Sequence, residues 1–242
     1  MCAEFTNLGD AIGFPPEALN PNADIDRVVL ALALICNDMN DAFSILERMN
    51  GGASASAGPT PYEGARAGRR GWATRLIASI THEALETLKA HETLLSSHDE
   101  VHETLATMTD KNVVAWNALM ALALEPGKEP RRQFLVRVRN NVSYHYADAK
   151  PLALGYQRVF IDQEKTAFNR WAYVSAGDTF AGLRFYFADA AAGEAVQAAV
   201  ERATEDSKTE LTEVAAMTVN GLFNFVLKFM NMRVTKVMGA SR

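Results

Sequence analysis

The chain has 242 residues, 48% of them hydrophobic, which is enough to build one sizeable core without disulfides or metals. Its formal net charge of −5 and pI near 5.6 argue against a general nucleic-acid coat, because such proteins carry a basic excess that displaces phosphate counterions. The two cysteines, Cys2 and Cys36, are too few for a disulfide framework, so we expect one cytoplasmic domain over residues 1–242.

No targeting or membrane segment is predicted. The first residues lack a basic start followed by an apolar stretch, which a secretory signal has. The longest uninterrupted apolar runs, residues 28–36 and 118–124, are shorter than the roughly 20 residues that cross a bilayer. We therefore expect neither a signal peptide nor a membrane partner.

The first predicted elements are an irregular arm over residues 1–23 and a long helix. The arm contains the Pro15-Pro16 and Asn20-Pro21 turns. The helix begins near Asp24, because apolar residues then recur at steps of three and four, and Asn50-Gly51-Gly52 ends it. The residues expected on its buried face are Ile25, Val28, Val29, Leu32, Ile35, Cys36, Met39, Phe43 and Leu46.

A second helix is predicted after a Gly/Ala/Ser loop at residues 51–58. Thr60-Pro61-Tyr62-Glu63 has the form of a capping box, so we expect the helix to run from there to about Ser96. Three interpretations of the glycines on one of its faces stay open: a close helix crossing, a helix that starts only near Trp72, and a surface that a ligand approaches. These glycines are Gly64, Gly68 and Gly71.

Two further helices are predicted in the middle of the chain. One runs from about Asp99 to Leu124, with a break at Asp110 left open, and Glu125-Pro126-Gly127 ends it. The next runs from Pro130 to Pro151, because a proline restricts the residue before it to extended geometry. The inward residues of the first are Val101, Leu105, Met108, Val113, Trp116, Leu119 and Met120.

The segment 156–188 has a different pattern. Residues 158–161, 170–174 and 183–187 are short aromatic and β-branched runs, and Ala176-Gly177-Asp178 is a turn signal, so we expect a small β-hairpin or loop insertion. A last helix follows from Gly193 to about Val234. Together the elements predict an all-α, up-and-down bundle of about five helices. The inward residues of the last helix are Val196, Val200, Leu211, Val214, Met217, Leu222, Phe225 and Phe229.

Residues 137–146 carry the most chemistry. Phosphodiester cleavage without a metal needs a base for the attacking hydroxyl, an acid for the leaving oxygen and positive charge at the phosphorane. Arg139 and His145 can supply all of these. On an ideal helix their side chains point about 120° apart, so they meet only if the arginine reaches round or if they face each other across a symmetric dimer.

Arg139-Asn140, followed by four residues and then His145, resembles the motif of the HEPN superfamily. Many HEPN proteins are helical-bundle endoribonucleases that work as dimers without a metal. The resemblance implies that Arg139 stabilises the transition state, that His145 is a general acid or base and that Asn140 orients these groups. It also implies RNA as substrate, a homodimer and no cofactor. The alternative is a HEPN-like module that binds nucleic acid or protein without catalysis.

Further residues around the motif are predicted to contact the substrate. Residues 128–139 contain five basic residues and one acidic residue, and such a patch would steer a nucleic acid towards the site. A solvated helix face is the alternative interpretation. The residues that we expect to touch the substrate are Arg132, Arg137, Asn141 and Tyr146.

The remaining histidines lie among carboxylates, at positions 82, 91, 98 and 102. His98 and His102 are one helical turn apart, so both could reach one metal ion, with Glu83 or Glu86 as a further ligand. Asp99 stands where a zinc-protease motif has glutamate. We therefore predict a solvated polar stripe and no metal site.

Overall fold

The structure is a computed structural model that describes residues 16–50, 61–125, 135–136, 150–162, 174–176, 183–201 and 213–240. These residues are almost entirely helical, so the predicted all-α bundle is confirmed. The α-helices are α1 (Asp24–Asn50), α2 (Pro61–Ala90), α3 (Glu92–Ser97), α4 (Asp99–Ala106), α5 (Asp110–Leu124), α6 (Lys150–Tyr156), α7 (Tyr186–Glu201) and α8 (Asn224–Ala240). The other elements are a 3-10 helix (Pro16–Ala18), a first and a second π-helical segment (Gln157–Asp162 and Thr218–Phe223), and the strands β1 (Val174–Ala176) and β2 (Leu183–Phe185).

The chain divides into two compact units. Unit 1 comprises Met1–Asn37, Ala84–Leu124 and Ala216–Arg242, and unit 2 comprises Asp38–Glu83 and Glu125–Ala215. Helices α1 and α2 each contribute one part of their length to each unit. The single domain over residues 1–242 stays a prediction.

Helix boundaries in the first half of the chain follow the sequence signals closely. Helix α1 begins at Asp24 and ends at Asn50, as predicted. Helix α2 begins at Pro61, the proline of the predicted capping box, so the interpretation in which it starts near Trp72 is wrong. It ends at Ala90 rather than near Ser96, because one residue interrupts the helix before α3. The open break in the third predicted helix is real and separates α4 from α5 at residues 107–109.

Three predictions in the second half were wrong. Pro151 was expected to end a helix, but it lies in the first turn of α6, where its missing N–H donor has no helical partner to lose. Residues 158–161 were expected to be extended, but they belong to the first π-helical segment, which packs against α7. The helix expected from Gly193 starts earlier, at Tyr186, and helical geometry resumes at residue 213 and continues to Ala240. Residues 202–212 lie outside the described residues.

The predicted β-hairpin is confirmed for a six-residue ladder. Strands β1 and β2 pair antiparallel, with Val174 opposite Phe185 and Ala176 opposite Leu183. Helix α7 follows β2 directly and also contacts β1. The hairpin therefore sits at the start of α7, within unit 2.

One core lies in unit 1, where α8 contacts α4, α5 and the 3-10 helix. The rings of Trp116 and Phe225 are stacked with their centroids 4.2 Å apart, and Phe229 lies 6.0 Å from Phe225. The second π-helical segment approaches α5 so closely that a Cβ atom on Gly221 would lie 2.9 Å from the backbone nitrogen of Trp116. Glycine at this position is therefore required for the helix packing.

A second close contact joins α6 to α7 in unit 2. A Cβ atom added to Gly155 would overlap the backbone carbonyl of Ala191. Ala192, Ala195 and Leu152 form an apolar cluster beside this point. Small side chains thus bring the two helix backbones together, next to the hairpin.

Helix α1 is apolar for much of its length. Its stretch Asp24–Arg48 is long and apolar enough to cross a membrane by length and composition, and 28% of the most apolar window is buried. A core helix of a soluble protein meets the same test. The predicted absence of a membrane span therefore stays a prediction.

Replacing Gly221 with alanine is expected to lower the free energy of unfolding by about 1–3 kcal/mol, because the added methyl group meets backbone atoms of α5 that do not move easily. Chemical denaturation followed by circular dichroism measures the change. Gly239→Ala is the matched control, since its Cβ would meet nothing within 4 Å, and it should be neutral or stabilise by up to about 1 kcal/mol. Equal stability of the two variants would contradict the close approach.

Candidate functional site

The predicted catalytic residues Arg139, Asn140 and His145 lie outside the described residues. The residues predicted to bind substrate do so as well: Arg132, Arg137, Asn141 and Tyr146. The nearest described residues before the motif, 135–136, are helical, with Leu135 buried and Val136 exposed. This agrees with the expectation that Leu135 lies on the core side of a helix that leads into the motif. The site itself stays a prediction.

The histidines that the sequence groups together have different environments. His98 caps the N-terminus of α4, where its Nδ1 accepts a hydrogen bond of 3.3 Å from the backbone N–H of Glu100. His91 and His102 are exposed, whereas His82 is buried in α2. Among the residues that the structure describes, no group of three or more His, Cys, Asp or Glu side chains is placed to hold a metal ion. His98 and His102 therefore have no third ligand in this part of the chain.

A buried ion pair connects the two ends of unit 1. Asp26 of α1 is fully buried, and Nη2 of Arg233 in α8 donates to its Oδ1 at 2.8 Å. The backbone N–H of Asn20 donates to its Oδ2 at 2.7 Å. Arg233 also pairs with Glu100 at 2.7 Å and lies over the ring of Phe229, with its Cζ 5.3 Å from the centroid. Charge and hydrogen bonds thus compensate the burial of the carboxylate.

Two shifted titrations fall in unit 1. The hydrogen bond with Glu103, at 2.7 Å, raises the pKa of Lys236 above its usual value, and Glu100 adds to the effect. Burial raises the pKa of the Cys36 thiol to about 11, because the thiolate is desolvated. Both shifts move the group away from neutral pH, so neither side chain is suited to acid–base catalysis there.

Helix α2 carries a polar stripe inside unit 2. Residues 77–82 are all buried, and successive residues advance about 100°, so the helix is enclosed on every side at this level. Arg75, Ser79 and His82 follow one another at steps of four and three, which places them on one face. Ser79 is 7% exposed and His82 is 6% exposed. The stripe brings a guanidinium, a hydroxyl and an imidazole together in an otherwise apolar segment.

The hydroxyl of Ser79 stands out within this stripe. Its Oγ is buried and has no hydrogen-bond partner in the described structure, a state that costs about 1–3 kcal/mol. Thr81, two residues later and fully buried, donates its hydroxyl to the carbonyl of Ile77 at 2.7 Å. Thr74 donates in the same way to Arg70 at 3.0 Å. Ser79 is thus different from its hydroxyl-bearing neighbours on the same helix.

The polar stripe continues the glycine face predicted from the sequence. Gly64, Gly68 and Gly71 precede Arg75 at steps of four, three and four, so all of them lie on the same face of α2. Gly68 is buried, but a Cβ atom on Gly71 would meet nothing within 4 Å, so a close helix crossing at Gly71 is excluded. The side chain of Trp72 beside it is exposed. The face is therefore open near Gly71 and closed towards His82.

Aromatic rings gather where α6, the hairpin and α7 meet. The centroid of Tyr156 lies 4.8 Å from that of Phe160 and 6.3 Å from that of Phe187, and Phe185 lies 6.0 Å from Phe187. Phe185 is 60% exposed, and Tyr156 is also exposed. We call these four residues the aromatic cluster. It is the structural form of the aromatic segment predicted over residues 156–188.

A cleft of about 750 Å³ opens in unit 1 between the start of α1 and the junction of α2 with α3. Arg27 and His91 contribute positive or titratable groups to its wall. Arg27 is exposed and already paired with Asp24, and Ser97 donates its hydroxyl to the carbonyl of Thr93 at 2.7 Å. Because these groups are engaged within the protein, the cleft offers a ligand less than the stripe on α2 does.

Comparison with known proteins gives no relative for this chain: no family model, no curated protein and no solved structure matches it. The assignment of function therefore rests on the residues themselves.

Replacing Arg233 with alanine is expected to lower the free energy of unfolding by about 3 kcal/mol, because it leaves the carboxylate of Asp26 buried without its charged partner. Lys236→Ala, which removes a more exposed partner of the same network, should cost less than about 1 kcal/mol. Urea unfolding of both variants measures the difference. If Arg233→Ala costs no more than Lys236→Ala, the buried pair is not a main support of unit 1.

Proposed function

We propose that this protein is a cytoplasmic, metal-independent endoribonuclease of HEPN type, which cleaves RNA as a homodimer. The observation that carries the proposal is the sequence Arg139-Asn140…His145 in a chain that folds as an all-α bundle. Helical geometry at residues 135–136, with Leu135 turned inward, supports a helix that leads into this motif. The bundle is the fold in which HEPN motifs act, and the shared fold class supports the resemblance.

The proposed reaction needs only protein groups. One imidazole, that of His145, takes the proton of the 2′-hydroxyl while the 2′-oxygen forms a bond to phosphorus. The bond from phosphorus to the 5′-oxygen breaks, and the 5′-oxygen receives a proton from a second acid, which is the partner subunit's His145 in a symmetric dimer. Arg139 stabilises the charge of the phosphorane, and Asn140 orients the reacting groups. The products are a 2′,3′-cyclic phosphate and a 5′-hydroxyl end.

The aromatic cluster favours a second candidate function, an RNA-binding module that does not cleave. Bases of single-stranded RNA stack on exposed aromatic rings, and each such contact contributes about 1–3 kcal/mol. Phe185 and Tyr156 present exposed rings at the surface of unit 2. The same cluster would hold a substrate strand for the nuclease, so the two functions share a binding surface and differ in the chemistry at His145.

His145→Ala tests the catalytic proposal. We expect the parent to cleave a mixed RNA pool in the presence of EDTA and to leave 2′,3′-cyclic ends, and we expect the variant to lose at least about a hundredfold in rate, since general acid–base groups contribute roughly 10²–10⁴-fold. Sequencing of the cleaved ends and a time course on a labelled RNA measure both quantities.

His102→Ala is the matched control for that experiment, because His102 is an exposed histidine on α4 outside the motif. It should cleave as the parent does. Equal activity of His145→Ala and the parent would remove His145 from the mechanism. An inactive parent that still binds RNA would favour the binding module instead.

Phe185→Ala tests the aromatic cluster. Loss of one stacking ring should weaken the binding of single-stranded RNA by about fivefold to a hundredfold, which corresponds to about 1–3 kcal/mol. Fluorescence anisotropy with a labelled, 2′-O-methylated oligonucleotide measures the affinity without cleavage. Phe223→Ala is the control, because Phe223 is also a surface phenylalanine, 49% exposed, but belongs to unit 1. If both variants bind as the parent does, the cluster is not an RNA surface.

A further inference from the structure

The unbonded hydroxyl of Ser79 is an observation that calls for a ligand. A serine in the middle of a helix normally donates to the carbonyl of the preceding turn, as the hydroxyls of Thr74 and Thr81 do on this helix. Ser79 forgoes this bond although it is more than nine-tenths buried. Its hydroxyl lies on the face of α2 that also carries Gly71 and Arg75. A group that enters along this face would give the hydroxyl its missing partner.

The chemistry of the stripe selects an oxyanion. An arginine side chain offers up to five N–H donors and no acceptor, and a serine hydroxyl and an imidazole add donors one turn further along. Residues 64–82 contain four arginines and no aspartate or glutamate, within a chain whose net charge is negative. The surrounding residues at the buried end are apolar, among them Ile77 and Ala78. Hydrogen bonds to a charged oxygen are stronger in such a setting than in water.

The stripe is also reachable from outside. Arg69 and Arg70 are exposed at its outer end, and the open space beside Gly71 lies between that end and Arg75. An anion attracted by the two exposed arginines would move along the glycine face towards Ser79 and His82. Burial increases in the same direction, so water is excluded progressively.

We propose that the face of α2 from Gly71 to His82 binds a phosphate group of a nucleotide or of an RNA strand. Arg75 and Ser79 hold the phosphate oxygens, and His82 closes the inner end of the site. The inference goes beyond the proposed nuclease, because it assigns binding to a different helix, and it stands if His145 proves to have no catalytic role.

Binding of defined probes to the full-length parent tests the site. We expect adenosine 5′-monophosphate, or a ten-nucleotide 2′-O-methyl RNA, to bind at least about tenfold more tightly than adenosine in isothermal titration calorimetry, because the phosphate is the recognised group. Binding of the oligonucleotide alone assigns the site to an RNA strand, and binding of the mononucleotide assigns it to a free nucleotide. A parent that binds neither probe, or that binds adenosine equally well, overturns the proposal.

Ser79→Ala separates binding from folding. It should weaken phosphate-dependent binding by about tenfold or more, while thermal unfolding stays unchanged or moves to higher temperature, because a buried hydroxyl without a partner is removed. Gly71→Leu should block the approach and also weaken binding, since its side chain enters open space. Thr74→Ala is the matched control, because that hydroxyl is bonded to Arg70 and lies off the stripe. Affinities of Ser79→Ala and Gly71→Leu equal to that of the parent would overturn the assignment. The 2′-O-methyl RNA is not cleaved, so this outcome is independent of the His145 assay.

Discussion

The enclosure of α2 on every side at residues 77–82 is the constraint on which the rest of unit 2 depends. A helix tolerates such enclosure because its own turns satisfy its backbone N–H and C=O groups, so only the side chains have to suit an apolar setting. Most of them do: Ile77, Ala78 and Ile80 are apolar, and Thr81 returns its hydroxyl to the backbone. Against that background a buried polar group costs stability unless it serves another purpose.

Unit 1 meets a similar cost with a different device. The carboxylate of Asp26 is buried completely, and it is held by the guanidinium of Arg233 from the far end of the chain together with the N–H of Asn20. A buried pair of this kind adds little net stability compared with apolar packing, but loss of one partner is costly, so it favours one arrangement of the first and last helices over others. The stacked rings of Trp116 and Phe225 supply the apolar part of the same core.

Local signals explain what could be predicted from the sequence. The start of α1, its end at Asn50 and the start of α2 at Pro61 follow from apolar periodicity, a glycine pair and a capping box, all of which act within a few residues. Residues 158–161 have β-forming composition, yet they are π-helical because packing against α7 overrides local propensity. Within the candidate sites, the Arg139 motif is a short spacing that can be read directly. The stripe on α2 was missed, although its residues extend the spacing of the predicted glycine face, because the burial of Ser79 depends on residues distant in sequence.

The negative charge of the chain explains why a phosphate site should be local and partly buried. At physiological ionic strength, exposed charges are screened over roughly 8 Å, so a surface arginine attracts an anion only weakly and the acidic residues elsewhere oppose it little. Selectivity for a phosphate then needs donors placed where water is excluded and no carboxylate competes. Residues 64–82 meet both conditions, since they carry arginine without any acidic residue and lead from solvent to an enclosed segment. Exposed aromatic rings such as Phe185 add affinity that does not depend on charge. An acidic protein can therefore recognise RNA through a few buried donors and stacking rings rather than through a basic surface.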